Sequence, residues 1–265
     1  MRYAAVLLDM DGVLYHGESP LPGAIDFVRR LADIPHLFLT NNPIHTAQAV
    51  AEKLWRMGFP AVDPSQVLTS GEATAVWLAR EKPGFHYFAV GAAGLDQVLS
   101  RYGQADEESA DFVVVGEGAG LDYESLTRGL NLILKQGARL IATNPDHNVD
   151  ANIEGEHRLL PGGGALVAPF AVAAGVDPVV IGKPEPLLFE MALERLDCAA
   201  SDCVMIGDRP DTDIAGAARL GLGTALVRSG RFSAGEPWPV GLPTPDWDEL
   251  SLQALAQSLE ITGCG

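Results

Sequence analysis

Positive charge and cysteine are both scarce in this sequence of 265 residues. Eighteen Lys+Arg stand against 35 Asp+Glu, a formal charge of −17. A field of that sign repels polyphosphate backbones and anionic lipid, so no nucleic-acid partner and no membrane-surface partner is expected. A small anionic substrate stays compatible, because one metal ion or one lysine reverses the sign locally. The three cysteines, Cys198, Cys203 and Cys264, include no C-x-x-C pair and make neither a disulfide framework nor a zinc site. Each reads as a small apolar packing residue in a reducing compartment. Long apolar runs are missing as well. Five apolar residues, 4–8, precede Asp9, too few for a signal-peptide core, and no later run approaches the roughly 18 residues that cross a bilayer. The expected location is therefore cytoplasmic. The six histidines contain no i,i+4 pair that would mark a helical metal site.

What is present has the balance of a globular chain, 47% hydrophobic and 20% charged. Short apolar runs alternate with helical periodicities, which predicts α/β architecture with a parallel sheet. The runs fall at 4–8, 37–39, 113–115, 140–142, 179–181, 204–206 and 225–227. Helices are predicted at 22–31, 72–80, 123–135, 187–196 and 211–220, with a short closing helix around Leu252, Leu255 and Leu259. Asn42 offers a helix N-cap and Pro43 a first helical position, ahead of Ala47, Val50 and Leu54 on one face.

In a parallel sheet, ligands gather beyond the carboxyl ends of the strands. The first run ends in Asp9-Met10-Asp11-Gly12-Val13, two carboxylates and a glycine that can aim at one point. Taken alone, D-x-D-G is as well explained by an Asp-rich turn. Three further strand ends alter that balance. Thr40-Asn41-Asn42 supplies a hydroxyl, two amides and a helix N-terminus suited to phosphate oxygens. Gly182-Lys183-Pro184 supplies one ammonium, and Gly207-Asp208-Arg209-Pro210-Asp211-Thr212-Asp213 supplies three carboxylates. Together these are the groups that metal-assisted phosphoryl transfer needs, where charge neutralisation and positioning do most of the work.

At these residues the chain resembles the haloacid dehalogenase superfamily, whose four motifs match Asp9-x-Asp11, Thr40, Lys183 and Gly207-Asp208-x-x-x-x-Asp213. It is most similar to the NagD-like phosphatases, the branch of 4-nitrophenylphosphatase and phosphoglycolate phosphatase. Leu68-Thr69-Ser70-Gly71-Glu72-Ala73 and Ala142-Thr143-Asn144-Pro145-Asp146 carry that closer likeness. The resemblance implies a Rossmann-like core with an inserted mixed α/β cap. It implies Asp9 as nucleophile forming an aspartyl-phosphate, and Mg²⁺ held by Asp9, the Asp11 carbonyl and Asp208. Asp11 is implied as general acid and base, Thr40, Asn41, Asn42 and Lys183 as phosphate contacts, and Asp213 as a partner of Lys183 or of a metal-bound water. A small phosphorylated substrate and a homodimer made through the cap are implied too. An acid at Asp11 favours phosphoryl chemistry, since halide departs without a proton.

Spacing gives the domain plan. Asp9 and Thr40 are 31 positions apart, while Thr40 and Lys183 are 143 apart, far more than a crossover requires. The excess predicts core segments 1–73 and 177–265 around a cap at 74–176. Asn144, Asp146 and His147 are candidate cap contacts to the leaving group, although Asn-Pro-Asp also reads as a turn. The expected activity is phosphomonoester hydrolysis. The alternatives are a phosphomutase or other phosphotransferase of the same superfamily, or a silent phospholigand-binding protein. Gly116-Glu117-Gly118-Ala119-Gly120 fails as a dinucleotide motif because Leu121 stands where the third glycine belongs. Pro161-Gly162-Gly163-Gly164 lacks the Lys-Ser/Thr of a phosphate loop and reads as a flexible turn or hinge. His16 and His45 are close enough in sequence to the motifs to approach a substrate, and the four tryptophans read as packing residues.

Overall fold

A computed structural model describes residues 2–153 and 155–261; Cys264 lies outside them. The strands of the two main sheets are, in chain order, β1 (Ala5–Leu8), β2 (His36–Thr40), β3 (Val67–Thr69), β4 (His86–Val90), β5 (Gln104–Ala105), β6 (Phe112–Val115), β7 (Arg139–Ala142), β8 (Val179–Val180), β9 (Cys203–Gly207), β10 (Gly223–Val227) and β11 (Trp247–Glu249). The helices are α1 (Ala24–Arg30), α2 (Ala47–Arg56), α3 (Ser70–Glu81), α4 (Ala93–Leu99), α5 (Tyr123–Gln136), α6 (Gly163–Ala174), α7 (Pro186–Leu196), α8 (Ala215–Arg219) and α9 (Leu252–Ser258). Contacts divide the chain into two units, one of Met1–Thr40, Ala47–Leu68 and Lys183–Gly265, the other of Asn41–Thr46 and Thr69–Gly182. The chain therefore passes between units at Thr40/Asn41, Thr46/Ala47, Leu68/Thr69 and Gly182/Lys183. The segment 74–176 lies inside the second unit.

The first unit is built on a six-stranded sheet in the order β11-β10-β9-β1-β2-β3. β1 is central and parallel to both neighbours, Val6 facing His36 on one side and Val204 on the other. A strand covered on both faces needs apolar side chains at every position, and all four residues of β1 are buried. On one face Val6, Leu8, Phe38, Val204, Ile206 and Val227 pack with Phe27 and Val28 of α1, Val50 and Leu54 of α2, and Leu252 and Leu255 of α9. The residues that follow β1, β2 and β9 all leave the sheet at the same edge, and this is what collects the polar motifs.

The second unit has its own five-stranded sheet in the order β8-β7-β6-β4-β5, parallel throughout. Phe88, Val113, Val115, Leu140, Leu132, Ile133, Val167 and Phe170 form its core. α5 is closed at both ends. Asp122 accepts from Ser125 N in a capping box, and Gly137 ends the helix in the left-handed region at φ 77°. Asn148–Ile153 and Glu156–Pro161 make a separate antiparallel ribbon.

Several elements differ from their sequence pattern. The Asn42 side chain accepts from Ile44 N at 2.8 Å, closing a local turn, and the helix begins only at Ala47. Asn42 is therefore not a helix cap, because an Asx side chain satisfies a turn as readily as a first helical turn. The expected helix 211–220 opens as a wide turn, Pro210–Ile214, before α8. Gly162 and Gly163 start α6 rather than forming a hinge. Trp55 is 67% exposed on α2 and is no packing residue. Cys203 is buried, Cys198 partly so, and both are free thiols. Among the described residues no helix is long and apolar enough to cross a membrane.

Candidate active site

At the carboxyl edge of the first unit's sheet, Lys183 is the organising cation. Its Nζ donates to Asp9 Oδ1 at 2.8 Å and to Asp213 Oδ1 at 2.6 Å. Lys183 is 2% exposed and Asp213 fully buried. Burial alone would push the Lys183 ammonium down; Asp213 and Asp9 outweigh it and hold it above the ordinary lysine value. Asp213 is itself pushed up to about 6 by burial and by Asp9, against the pull of Lys183. The Arg209 amide donates to its other oxygen at 3.1 Å.

Asp208 completes the group. Carboxylate oxygens of Asp9, Asp208 and Asp213 lie within 4.8 Å of one another. Three carboxylates against one ammonium leave an excess of two negative charges in a buried space. Burial first, then Asp9 and Asp213, raise Asp208 well above the usual carboxylate range. Hard oxygen donors with a surplus of two charges suit a divalent cation. The backbone around Asp208 is shaped to the same end: a Cβ at Gly12 would fall 2.4 Å from Asp208 Oδ2, and one at Gly230 would fall 2.0 Å from it. Only glycine fits either position. Gly12 also sits at φ 79°, in the left-handed region. The donor set and its cradle therefore fit a metal ion.

Asp11 keeps a solvent-exposed side, yet protein atoms strip enough solvation from its carboxyl to raise it, opposed by Lys53, His16 and Tyr15. Lys53 of α2 lies over the Tyr15 ring, its Nζ 4.0 Å from the centroid. Thr40 is buried at the end of β2, two residues past Phe38, the partner of Leu8. So the structure joins Asp9, Lys183 and Asp213 by hydrogen bonds and brings an Asp208 oxygen within 4.8 Å of both carboxylates, with Asp11 and Thr40 on neighbouring strand ends. Asn144 and Asp146 lie in the second unit, buried and hydrogen-bonded there, and His147 is exposed. His16 contacts the Ser229 carbonyl at 2.8 Å.

A fifth strand end was legible only in part. After β10, Ser229 Oγ donates to the Gly12 carbonyl at 2.8 Å, and the Arg231 amide donates to Asp208 Oδ2 at 2.6 Å. The signal is Ser229-Gly230, one residue past a buried strand and behind Arg228, and neither carries a charge to mark it. Lys53 had no signal at all, being one lysine on an amphipathic helix.

Sequence comparison matches this geometry to a family. The haloacid dehalogenase-like hydrolase profile covers residues 6–105 and a HAD-hydrolase-like profile covers 180–241. An acid sugar phosphatase of Staphylococcus saprophyticus is 40% identical over 263 residues, 98% of this chain and 99% of that protein. The chain belongs to the haloacid dehalogenase-like hydrolases, among the NagD-like phosphatases. Solved structures agree. A p-nitrophenyl phosphatase from Archaeoglobus fulgidus superposes with a TM-score of 0.87 at 28% identity, covering 98% of this chain and 100% of that one. NagD from E. coli K-12 gives 0.82 at 31%, covering 95% and 97%. A glycerol phosphate phosphatase from Mycobacterium tuberculosis, in complex with magnesium, gives 0.83 at 31%, covering 96% and 76%.

Proposed function

We propose that this NagD-like phosphatase is a Mg²⁺-dependent phosphomonoester hydrolase that acts on a small phosphorylated metabolite through a covalent intermediate on Asp9. The observation that carries the reading is the Lys183 ammonium shared between Asp9 and Asp213 beside the Asp208 carboxylate. The Lys183 ammonium holds Asp9 Oδ1 at 2.8 Å and aims the other carboxylate oxygen. That oxygen attacks phosphorus; the P–O bond to the leaving group breaks, and Asp11 gives the departing oxygen its proton. Asp11, now a carboxylate, takes a proton from water, whose oxygen displaces Asp9 from phosphorus and frees orthophosphate. Thr40, Asn41, Asn42 and Lys183 hold the phosphoryl oxygens throughout. Asp9, Asp208 and the Asp11 carbonyl would hold magnesium, which supplies charge neutralisation to the phosphoryl group. Asp213 orients Lys183.

The relatives named as an acid sugar phosphatase and a glycerol phosphate phosphatase put phosphorylated sugars and glycerol phosphate first among substrates to try. The deciding experiment is p-nitrophenyl phosphate hydrolysis with magnesium and with EDTA, for the native chain and Asp9→Asn. Metal-dependent release of phosphate that disappears in the variant is the expected result. Turnover that survives Asp9→Asn undiminished would end the covalent mechanism, and turnover indifferent to EDTA would end the metal requirement. Transfer to a second sugar phosphate without free phosphate would make the chain a mutase.

A further inference from the structure

Asp11 stands at the root of a small hairpin of the first unit, and that hairpin is fastened from two sides. Its strands, Tyr15–His16 and Ser19–Pro20, run antiparallel with Tyr15 opposite Pro20. The chain also doubles back on Asp11: Gly12 N donates to the Tyr15 carbonyl at 2.9 Å, and Asp11 bridges Tyr15. On one side Ser229 Oγ donates to the Gly12 carbonyl and the Ser229 carbonyl meets His16 Nε2, both at 2.8 Å. On the other side stands Lys53.

Lys53 comes from α2, whose Val50 and Leu54 are buried in the same core as Tyr15. Its ammonium lies 4.0 Å from the centre of the Tyr15 ring and 3.9 Å from Glu18 Oε1, so it reaches both the base and the tip of the hairpin. The Lys53 side chain is mostly covered, whereas Glu18 is exposed. A lysine so placed lays its stem on apolar surface and exchanges solvent for the negative face of a ring. Tyr15 is buried, and its hydroxyl donates to the Asp11 carboxylate. Burial raises the Asp11 carboxyl, and of the groups that oppose that rise Lys53 acts most strongly, ahead of His16 and Tyr15. Ammonium, ring, hydroxyl and carboxyl thus form one chain of contacts that ends on Asp11.

We propose that Lys53 is a positioning residue: through the Tyr15 ring it fixes the Asp11 carboxyl where a departing oxygen can take its proton. The proposal rests on the phosphohydrolase reading above, in which Asp11 is the general acid. It asks nothing of Lys53 at the phosphoryl group, and every residue it uses belongs to the first unit.

The need for that proton depends on the leaving group. Nitrophenolate departs as a stable anion, phenolate less readily, and the alkoxide of glycerol hardly at all unprotonated. The experiment measures kcat/KM for p-nitrophenyl phosphate, phenyl phosphate and glycerol 1-phosphate in saturating magnesium. This constant covers the steps up to the aspartyl-phosphate, so the later work of Asp11 as a base does not enter it. Lys53→Met should lower the value for glycerol 1-phosphate about tenfold, part of the roughly 10²–10⁴-fold that a positioned acid contributes. The loss should be smaller for phenyl phosphate and least for p-nitrophenyl phosphate. Lys53→Arg keeps a cation over the ring and should restore most of it. Tyr15→Phe should rank the esters in the same order, and it carries the test if Lys53→Met does not fold. Asp11→Asn should rank them more steeply still. Equal losses on all three esters in Lys53→Met, or no loss, overturn the proposal if Asp11→Asn still ranks them, because a merely structural role slows every ester alike. If Asp11→Asn itself fails to rank the esters, or the native chain hydrolyses none of them, the reading of Asp11 as the acid falls first and the proposal with it.

Discussion

Replacing Asp208 by asparagine should make the metal-free protein more stable while abolishing its activity. The three carboxylates Asp9, Asp208 and Asp213 lie at most 4.8 Å apart. At an effective dielectric of about 20, two unit charges at that distance repel by about 3.5 kcal/mol. Asp208 faces two such neighbours. Part of the gain is returned, because the variant gives up attraction to Lys183 and the charge-assisted character of the bond from Arg231 N. A net stabilisation of about 2 kcal/mol is what remains, or roughly 5 °C in Tm for a chain of this size. The assay is thermal unfolding at pH 8 in EDTA and again in excess magnesium. In EDTA, Asp208→Asn should melt above the native protein. Magnesium should raise the native Tm by mass action and leave the variant nearly unmoved. A variant that melts below the native chain in EDTA would refute the account of Asp208 as a residue held under electrostatic strain for the sake of a cation.

Three other outcomes follow from the same geometry. Lys183→Met leaves Asp9 and Asp213 buried without their ammonium; urea unfolding in EDTA should show a loss of about 3–5 kcal/mol, together with lost turnover. Gly230→Ala drives a methyl group into Asp208 Oδ2, so the magnesium concentration for half-maximal activity should rise at least tenfold, an order-of-magnitude estimate from about 1.4 kcal/mol of misplacement; an unchanged value would show that the loop yields. Asp111 concerns stability alone. Burial works to raise its carboxyl, but the His86 amide and the Lys82 ammonium outweigh that and hold it below the ordinary value of 3.8. A lowered folded pKa gives stability that is complete above the unfolded value and is lost as pH falls through the folded one. Asp111→Asn should therefore flatten the urea midpoint's decline below about pH 4 and lower the midpoint at neutral pH.

Much of the site was legible because of how a parallel sheet is covered. β1, β2 and β9 are buried throughout, so each carries an unbroken apolar run, 37–39 in the case of β2, and the first polar residue after each run marks the carboxyl end of its strand. Elements without that contrast were harder to see. β4 reads His86-Tyr87-Phe88-Ala89-Val90, mixed in polarity, and β11 reads Trp247-Asp248-Glu249, an edge strand with charged residues. In the ribbon the strand Glu156–Pro161 is exposed throughout, so no buried face imposes alternation on it. Asn42 misled for a different reason: a side chain that closes a turn and one that caps a helix look alike in sequence, and here the Ile44 amide takes the Asn42 oxygen. The roles of Ser229 and Gly230 depend on backbone approach and on partners 217 and 22 positions away, Gly12 and Asp208, which no local pattern encodes.

The position of β1 has a consequence for biosynthesis. Val204, which pairs with Val6, is translated 198 residues after it. At ordinary elongation rates that is a delay of roughly 10–40 s. During this interval 69–182 emerges entire and can assemble its own sheet, while β1 keeps open the hydrogen-bonding edge that β9 will take. The reaction centre therefore cannot close on Asp9 until Asp208 and Asp213 have followed β9 out of the ribosome.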